Sequence, residues 1–176
     1  MRGTRVPGDP LADRVTASAA KLLGEALSAS GKTLAVAESC TGGLLGGAVT
    51  AIPGSSLYFS GGVVAYGNSA KISLLGVPPA LISTRGAVSR EVALAMAEGV
   101  LALLRADLAI AVTGVAGPGG GSRGKPVGMV WIAVVAAGGV RVAHRFRFPG
   151  SREAVRREAV RASLGAAIDV LRSEGA

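Results

Sequence analysis

The sequence predicts an α/β fold: a single-domain three-layer α/β/α sandwich with a mixed, mainly parallel sheet and a late antiparallel hairpin. Three observations carry this reading. Strand-like aliphatic runs alternate with helix-like segments over most of the chain. The runs "TLAVA" and "DLAIAVTG" are apolar on both faces, as strands covered by helices on both sides must be. Near the end the alternation breaks, and "VGMVWIAVV" and "VRVAHRFRF" flank Gly138-Gly139 as an antiparallel pair.

The elements follow in order. Residues 1–10, with Gly, Pro and charge, read as a loose start, and residues 11–176 as one domain. Leu11, Val15, Leu22, Leu23 and Leu27 repeat at helical spacing, and Gly31 stops that helix near Ser30. "TLAVA" is a strand, and "GGLLGGAVTAI" a helix ended by "PGSS". "LYFSGGVVAY" is a second strand whose glycine pair signals a bulge or a close approach. "GNSAKISLLG" is a short helix and "VPPALISTRGAV" a loop. "SREVALAMAEGVLALLRA" is an amphipathic helix with Ser89 as its N-cap. "DLAIAVTG" runs into the glycine-rich "VAGPGGGSRGKP". After the hairpin, "SREAVRREAVRASLGAAIDVLRS" closes the domain as a helix.

Composition bounds the function. The 176 residues suit one domain able to bury a core without staples. Hydrophobic residues make up 49% but aromatics only 3%, so the core is built from Ala, Val, Leu and Ile. Cys40 is the lone cysteine, which excludes an intrachain disulfide. No apolar stretch follows "MRGTRVPGDP", so a signal peptide is not expected. "PVGMVWIAVVAAGGV" is too short to span a bilayer and contains a Gly-Gly turn. The cytoplasm is the expected compartment, with no membrane partner. The net charge of +8 suits small anionic substrates. Nucleic acid is not an expected partner, because base-stacking aromatics are nearly absent.

Chemistry is expected at two loops, since ligands of open α/β sheets gather beyond the carboxyl ends of strands. In "AESCTGG", Ser39, Cys40 and Thr41 precede Gly42 and Gly43 at a strand-to-helix junction. The backbone N–H groups there can receive an oxyanion. Alternatively, Thr41 merely caps the helix while the glycines allow tight packing. Both readings stay open on the loop alone. In the second loop, Gly119 to Lys125 spells G-x-x-x-x-G-K, as a P-loop does. Pro126 then replaces the magnesium-binding hydroxyl, and a strand replaces the helix. A nucleotide triphosphatase is therefore rejected, leaving amide-rich backbone for a single phosphate.

Few side chains can activate Ser39. His144 alternates with Val140, Val142, Phe146 and Phe148 on one strand face and reads as a packed histidine. One His and one Cys leave a zinc site short of ligands, so no metal is expected. Four lysines stand against fifteen arginines. Arginine cannot deprotonate, whereas a buried lysine can become a neutral base. Lys21 and Lys32 read as surface residues. Lys71 follows the second strand by one short turn. Taken alone it also reads as a surface lysine.

These motifs together resemble the family of the C-terminal domain of the competence/damage-inducible protein CinA, which includes the stand-alone nicotinamide-nucleotide amidohydrolases. The matching stretches are "AESCTGG", "PGSS", "GGVVAYGNSAK", "GAVS", "VTGVAGPGGGS", "KPVGMVW" and "FPGSREAVR", in the family's order. The resemblance implies hydrolysis of nicotinamide mononucleotide to nicotinate mononucleotide and ammonia, without a cofactor. It implies Ser39 as nucleophile, Lys71 as base and Tyr66 as an assisting residue. It places Cys40, Thr41, Gly42 and Gly43 at the substrate, with Thr113, Gly114, Ala116, Gly117, Gly119 and Gly120 in the nucleotide pocket. The substrate phosphate is expected on loop amides with Arg152 or Lys125. Met129 departs from the threonine common in the family, which bears on a pocket wall. Longer CinA proteins carry a separate N-terminal domain that is not in this sequence, which favours the stand-alone enzyme. A homo-oligomer is expected. The competing expectation is a non-enzymatic nucleotide-binding module linked to competence or DNA processing.

Overall fold

The structure, a computed structural model, describes residues 14–174. The expected loose segment 1–10 and the first three residues of the expected opening helix lie outside the described residues. The order is α1 (Arg14–Ser30), β1 (Leu34–Glu38), α2 (Leu44–Thr50), β2 (Phe59–Val64), α3 (Asn68–Leu75), α4 (Pro79–Arg85), α5 (Arg90–Leu104), β3 (Leu108–Gly114), β4 (Met129–Ala136), β5 (Arg141–Arg147) and α6 (Arg152–Glu174). A 3-10 turn, Ser55–Leu57, precedes β2. The five strands form one sheet in the order β2-β1-β3-β4-β5. β1 runs parallel to both β2 and β3, while β3–β4 and β4–β5 are antiparallel. The three-layer sandwich with a mixed sheet and a late hairpin is thus as the sequence predicts.

Alternation along the strands builds the two helical layers. Leu34 and Val36 of β1, Leu108, Ile110 and Val112 of β3, and Val130, Ile132 and Val134 of β4 join one core with α1, α2 and α6. Ala35, Ala37, Ala109, Ala111 and Ala133 point to the other face, against α5. Large aliphatics fill the first interface, and alanines let α5 approach closely on the second.

The chain's punctuation explains the element ends. Gly31, at φ +63°, ends α1 as its amide donates to the Ser28 carbonyl and that of Lys32 to Leu27. Ser89 caps α5 by accepting from the Val92 amide. The glycine pair of β2 does both things expected of it. The register slips between Leu34 and Ala35, opposite Phe59 and Gly61. A Cβ at Gly62 would lie 2.5 Å from Val36 Cγ2, so only glycine lets β2 lie against β1 there.

Four expectations need correction. Residues 79–85 form helix α4 rather than loop; Pro79 opens it, with a φ already helical and no N–H to satisfy. β2 is shorter than the expected strand and starts only after the 3-10 turn. In α1 the buried stripe is Thr16, Ala20, Leu23, Gly24 and Leu27, while Val15 and Leu22 face outward. Clusters of Leu and Ala blur the helical phase there. His144 is exposed on β5 rather than packed, with its ring centroid 6.4 Å from that of Phe146. The strand alternates as expected, but the face it presents to α6 is only partly covered.

Candidate active site

Strands β1, β2 and β3 are parallel, so the loops that leave them share one edge of the sheet. The chain leaves β1 into α2 on one face and β2 into α3 on the other. Neighbouring strands whose connections part in this way open a crevice between them. Ser39 follows β1, and its amide donates to the Val112 carbonyl of β3. Ala65, Tyr66 and Lys71 follow β2.

Lys71 crosses this crevice. Its Nζ lies 3.1 Å from Ser39 Oγ, 2.9 Å from the Ala65 carbonyl oxygen and 3.1 Å from that of Tyr66. It is 1% exposed, the opposite of the surface lysine its local sequence suggests. α3 is only eight residues long, and its buried side chains are Lys71 and Leu75. Burial lowers the Lys71 pKa from its ordinary value, with a smaller opposing effect from Cys40. A neutral amine has two N–H donors and one lone pair. In that form the two carbonyls would take both donors and the lone pair would face the Ser39 hydroxyl, whereas an ammonium donates to all three oxygens.

The turn after Ser39 has a specific amide pattern. Gly42 N–H donates to the Ser39 carbonyl and Leu44 N–H to that of Thr41. The amides of Gly43, Leu45 and Gly46 donate to the Glu38 carboxylate at 2.9, 3.1 and 2.8 Å. The helix start is therefore capped by Glu38 and not by Thr41, whose buried Oγ1 has no partner among the described residues. Gly43, an expected substrate contact, already has its N–H occupied. The amides of Cys40 and Thr41 have no backbone acceptor among the described residues. The two glycines are required by conformation, at φ +60° for Gly42 and +96° for Gly43. Cys40 is buried, and desolvation pushes its thiol up to about 11. It stays a neutral packed thiol at ordinary pH.

Tyr66 supplies its carbonyl to Lys71, while its hydroxyl accepts from Arg152 at 2.6 Å. Arg152 also donates to the Gly117 carbonyl at 2.9 Å, joining the loop after β2 to the glycine-rich loop. In that loop Thr113 is buried and donates to the Ala87 carbonyl at 2.9 Å. A Cβ at Gly114 would lie 2.8 Å from the Met129 carbonyl oxygen, so the crossing of β3 and β4 requires glycine there. Ala116 and Gly117 are buried, while Gly119 and Gly120 lie exposed toward the tip. Lys125 donates to the Arg85 carbonyl at the end of α4, and no helix follows Gly124-Lys125. This is consistent with rejecting a P-loop.

His144 has no access to this chemistry. It sits on β5, three strand spacings from β1, roughly 14 Å. Among the described residues no three His, Cys, Asp or Glu side chains converge as a metal site would need.

Two groups escaped sequence reasoning. Glu38 is buried, and its signal was a lone charge in an aliphatic strand run. Arg156 donates to the Thr41 carbonyl at 2.7 Å. It lies four residues after Arg152, hence on the same face of α6.

Comparison with known proteins fits this architecture. The sequence model described as the CinA C-terminal domain matches residues 16–171. The chain belongs to the CinA C-terminal domain family. A CinA-like protein of Synechococcus is 53% identical over 149 residues, covering 84% of this chain and 35% of that protein. A CinA-like protein of Desulfotalea psychrophila is 52% identical over 160 residues, covering 91% and 37%. This CinA-family chain thus spans about a third of the length of the curated relatives it matches. The crystal structure of the competence/damage inducible protein CihA from Agrobacterium tumefaciens superposes with a TM-score of 0.87. It is 41% identical, and the match covers 97% of this chain and 99% of that one. A CinA superfamily protein from Escherichia coli gives a TM-score of 0.83 at 32% identity, covering 96% and 99%. Among the described residues no helix is long and apolar enough to cross a membrane.

Proposed function

We propose that this chain hydrolyses the carboxamide of nicotinamide mononucleotide to nicotinate mononucleotide and ammonia, in pyridine-nucleotide salvage. The observation that supports it most is the buried Lys71 amine 3.1 Å from Ser39 Oγ, with two carbonyls taking its N–H groups. Lys71 takes the hydroxyl proton as Ser39 Oγ bonds to the carboxamide carbon. The carbonyl oxygen becomes an oxyanion facing the Cys40 and Thr41 amides. The C–N bond then breaks, and the proton on Lys71 leaves with the nitrogen as ammonia. Water attacks the acyl-serine, and its proton returns through Lys71 to Ser39. The cationic pyridinium makes the carbonyl more electrophilic and further disfavours a charged Lys71. Arg152 and the amides of the loop after β3 receive the phosphate.

A second reading is a nucleotide-binding module without turnover; its link to competence or damage responses draws on the names of relatives such as the competence/damage inducible protein CihA. The deciding experiment measures ammonia release from nicotinamide mononucleotide by wild type and Ser39→Ala. Turnover by wild type, abolished in the variant, supports hydrolysis. Calorimetric binding without ammonia from either supports the binding module.

A further inference from the structure

Strand β1 ends on a charge that the hydrolytic reading does not use. Glu38 is 1% exposed and sits directly before Ser39. Its carboxylate reaches forward, to the first turn of α2. Oε2 accepts from Gly43 and Leu45, and Oε1 from Gly46. These amides would otherwise be the unsatisfied donors of the helix start. α2 has seven residues and no side-chain cap of its own, so nothing within the helix can replace Glu38.

We infer that Glu38 is the positioning residue that sorts the amides of the Ser39 turn, binding the later ones so that only those of Cys40 and Thr41 remain for an oxyanion. The inference rests on Ser39 being the nucleophile. The backbone from Ser39 to Gly43 turns through two left-handed glycines, and Arg156 holds it at the Thr41 carbonyl. The carboxylate pulls three amides of the next segment to one point. The Ser39 and Thr41 carbonyls hold Gly42 and Leu44. Among the described residues the first two amides after Ser39, those of Cys40 and Thr41, have no oxygen acceptor. Loss of the carboxylate would let Gly43, Leu45 and Gly46 seek other acceptors and unwind the turn that aims them. Glutamine fills the same volume but presents an NH2 where one carboxylate oxygen accepts, so it opposes at least one amide. Donors aimed at an oxyanion act in the transition state more than in the ground state. Their misplacement therefore lowers kcat and leaves KM nearly unchanged.

The experiment compares wild type, Glu38→Gln and Leu27→Ala, the last a destabilised control in the core at the end of α1, before β1 begins. Each is incubated with a fluorophosphonate at a temperature where circular dichroism shows it folded. The rate of covalent labelling at Ser39 is read by mass spectrometry. Labelling forms a bond to Ser39 Oγ through an oxyanion-like state and needs no assumption about the natural substrate. Expected are a fall of roughly tenfold or more for Glu38→Gln and an unchanged rate for Leu27→Ala. Wild-type labelling by Glu38→Gln would overturn the inference, as would an equal fall in Leu27→Ala. A kcat and KM measurement with nicotinamide mononucleotide adds a second readout, with the loss expected in kcat. No turnover by wild type, with Ser39 labelling still dependent on Glu38, would sink the substrate reading alone. Normal turnover and labelling in Glu38→Gln would sink the positioning role alone. Should Glu38→Gln not fold, hydrogen exchange of the wild type decides. Slow exchange is expected at Gly43, Leu45 and Gly46, and exchange at the rate of an open loop would overturn the clamp.

Discussion

The Tyr66 hydroxyl faces Arg152 at 2.6 Å, while its carbonyl oxygen faces Lys71 at 3.1 Å. One residue thus serves two partners through two different groups. A side-chain substitution at 66 leaves the carbonyl in place. Tyr66→Phe is expected to act on substrate binding more than on chemistry. It frees Arg152 on one side and spares the lysine. KM for nicotinamide mononucleotide should change several-fold with kcat within about threefold, and steady-state kinetics checks this. A collapse of kcat with unchanged KM would place the phenol in the proton path instead.

Lys71→Arg should be nearly as damaging as Lys71→Ala, each losing at least 100-fold in kcat. Guanidinium keeps its proton at any working pH and cannot take one from Ser39. The wild-type rate should also carry an acid limb. Burial lowers the Lys71 pKa below the ordinary 10.5, so the neutral base appears at lower pH than for a free lysine. As pH falls through that lowered value Lys71 gains a proton and turnover declines. Turnover by Lys71→Arg near the wild-type rate would rule out the serine/lysine mechanism.

Cys40 should resist alkylation in the native protein. Its thiol is pushed up to about 11 by burial, so thiolate is scarce at pH 8. Iodoacetamide labelling followed by mass spectrometry should proceed at least tenfold faster in denaturant than in native buffer. Comparable rates in both would show the Ser39 turn to be open.

Tyr58→Phe should leave stability unchanged or raise it. The Tyr58 hydroxyl is buried, has no partner among the described residues and sits where a Cβ on Gly24 would be 2.5 Å away. Removing an unsatisfied buried hydroxyl is worth about 1 kcal/mol, or roughly 2–4 °C in Tm for a chain of this size. Thermal unfolding that begins several degrees lower would reveal a partner for the phenol.

Asp107→Asn should cost about 1 kcal/mol at neutral pH. The carboxylate accepts from the Thr33 amide and hydroxyl, both at 2.8 Å, tying the starts of β1 and β3. These bonds lower its pKa below the ordinary 3.8. A depressed carboxylate contributes stability above the unfolded value and loses it as pH falls through the folded one. The gap between wild type and Asp107→Asn should therefore be full above about pH 4 and close in stronger acid. Denaturant titrations at several pH values check both the size and the sign.

The sequence by itself determined the layers, the hairpin and the loop that carries Ser39. These rest on local patterns: two-faced aliphatic runs, a Gly-Gly turn, and hydroxyls beside glycines at a strand end. Family motifs added Lys71 and Tyr66, but no periodicity revealed that Lys71 is buried, because burial there is set by packing between α3 and the ends of β1 and β2. Only the tertiary structure decided which group of Tyr66 meets the lysine and which amides after Ser39 are free. Both depend on partners distant in sequence: Lys71 lies 32 residues from Ser39, and Arg152 lies 86 from Tyr66. Glu38 shows the same limit at short range. Its charge was visible in the strand, but the direction of its carboxylate follows from two left-handed glycines that turn the chain back over it. Hydrogen bonds across a turn are set by where the backbone goes, and that path is chosen by the whole sheet.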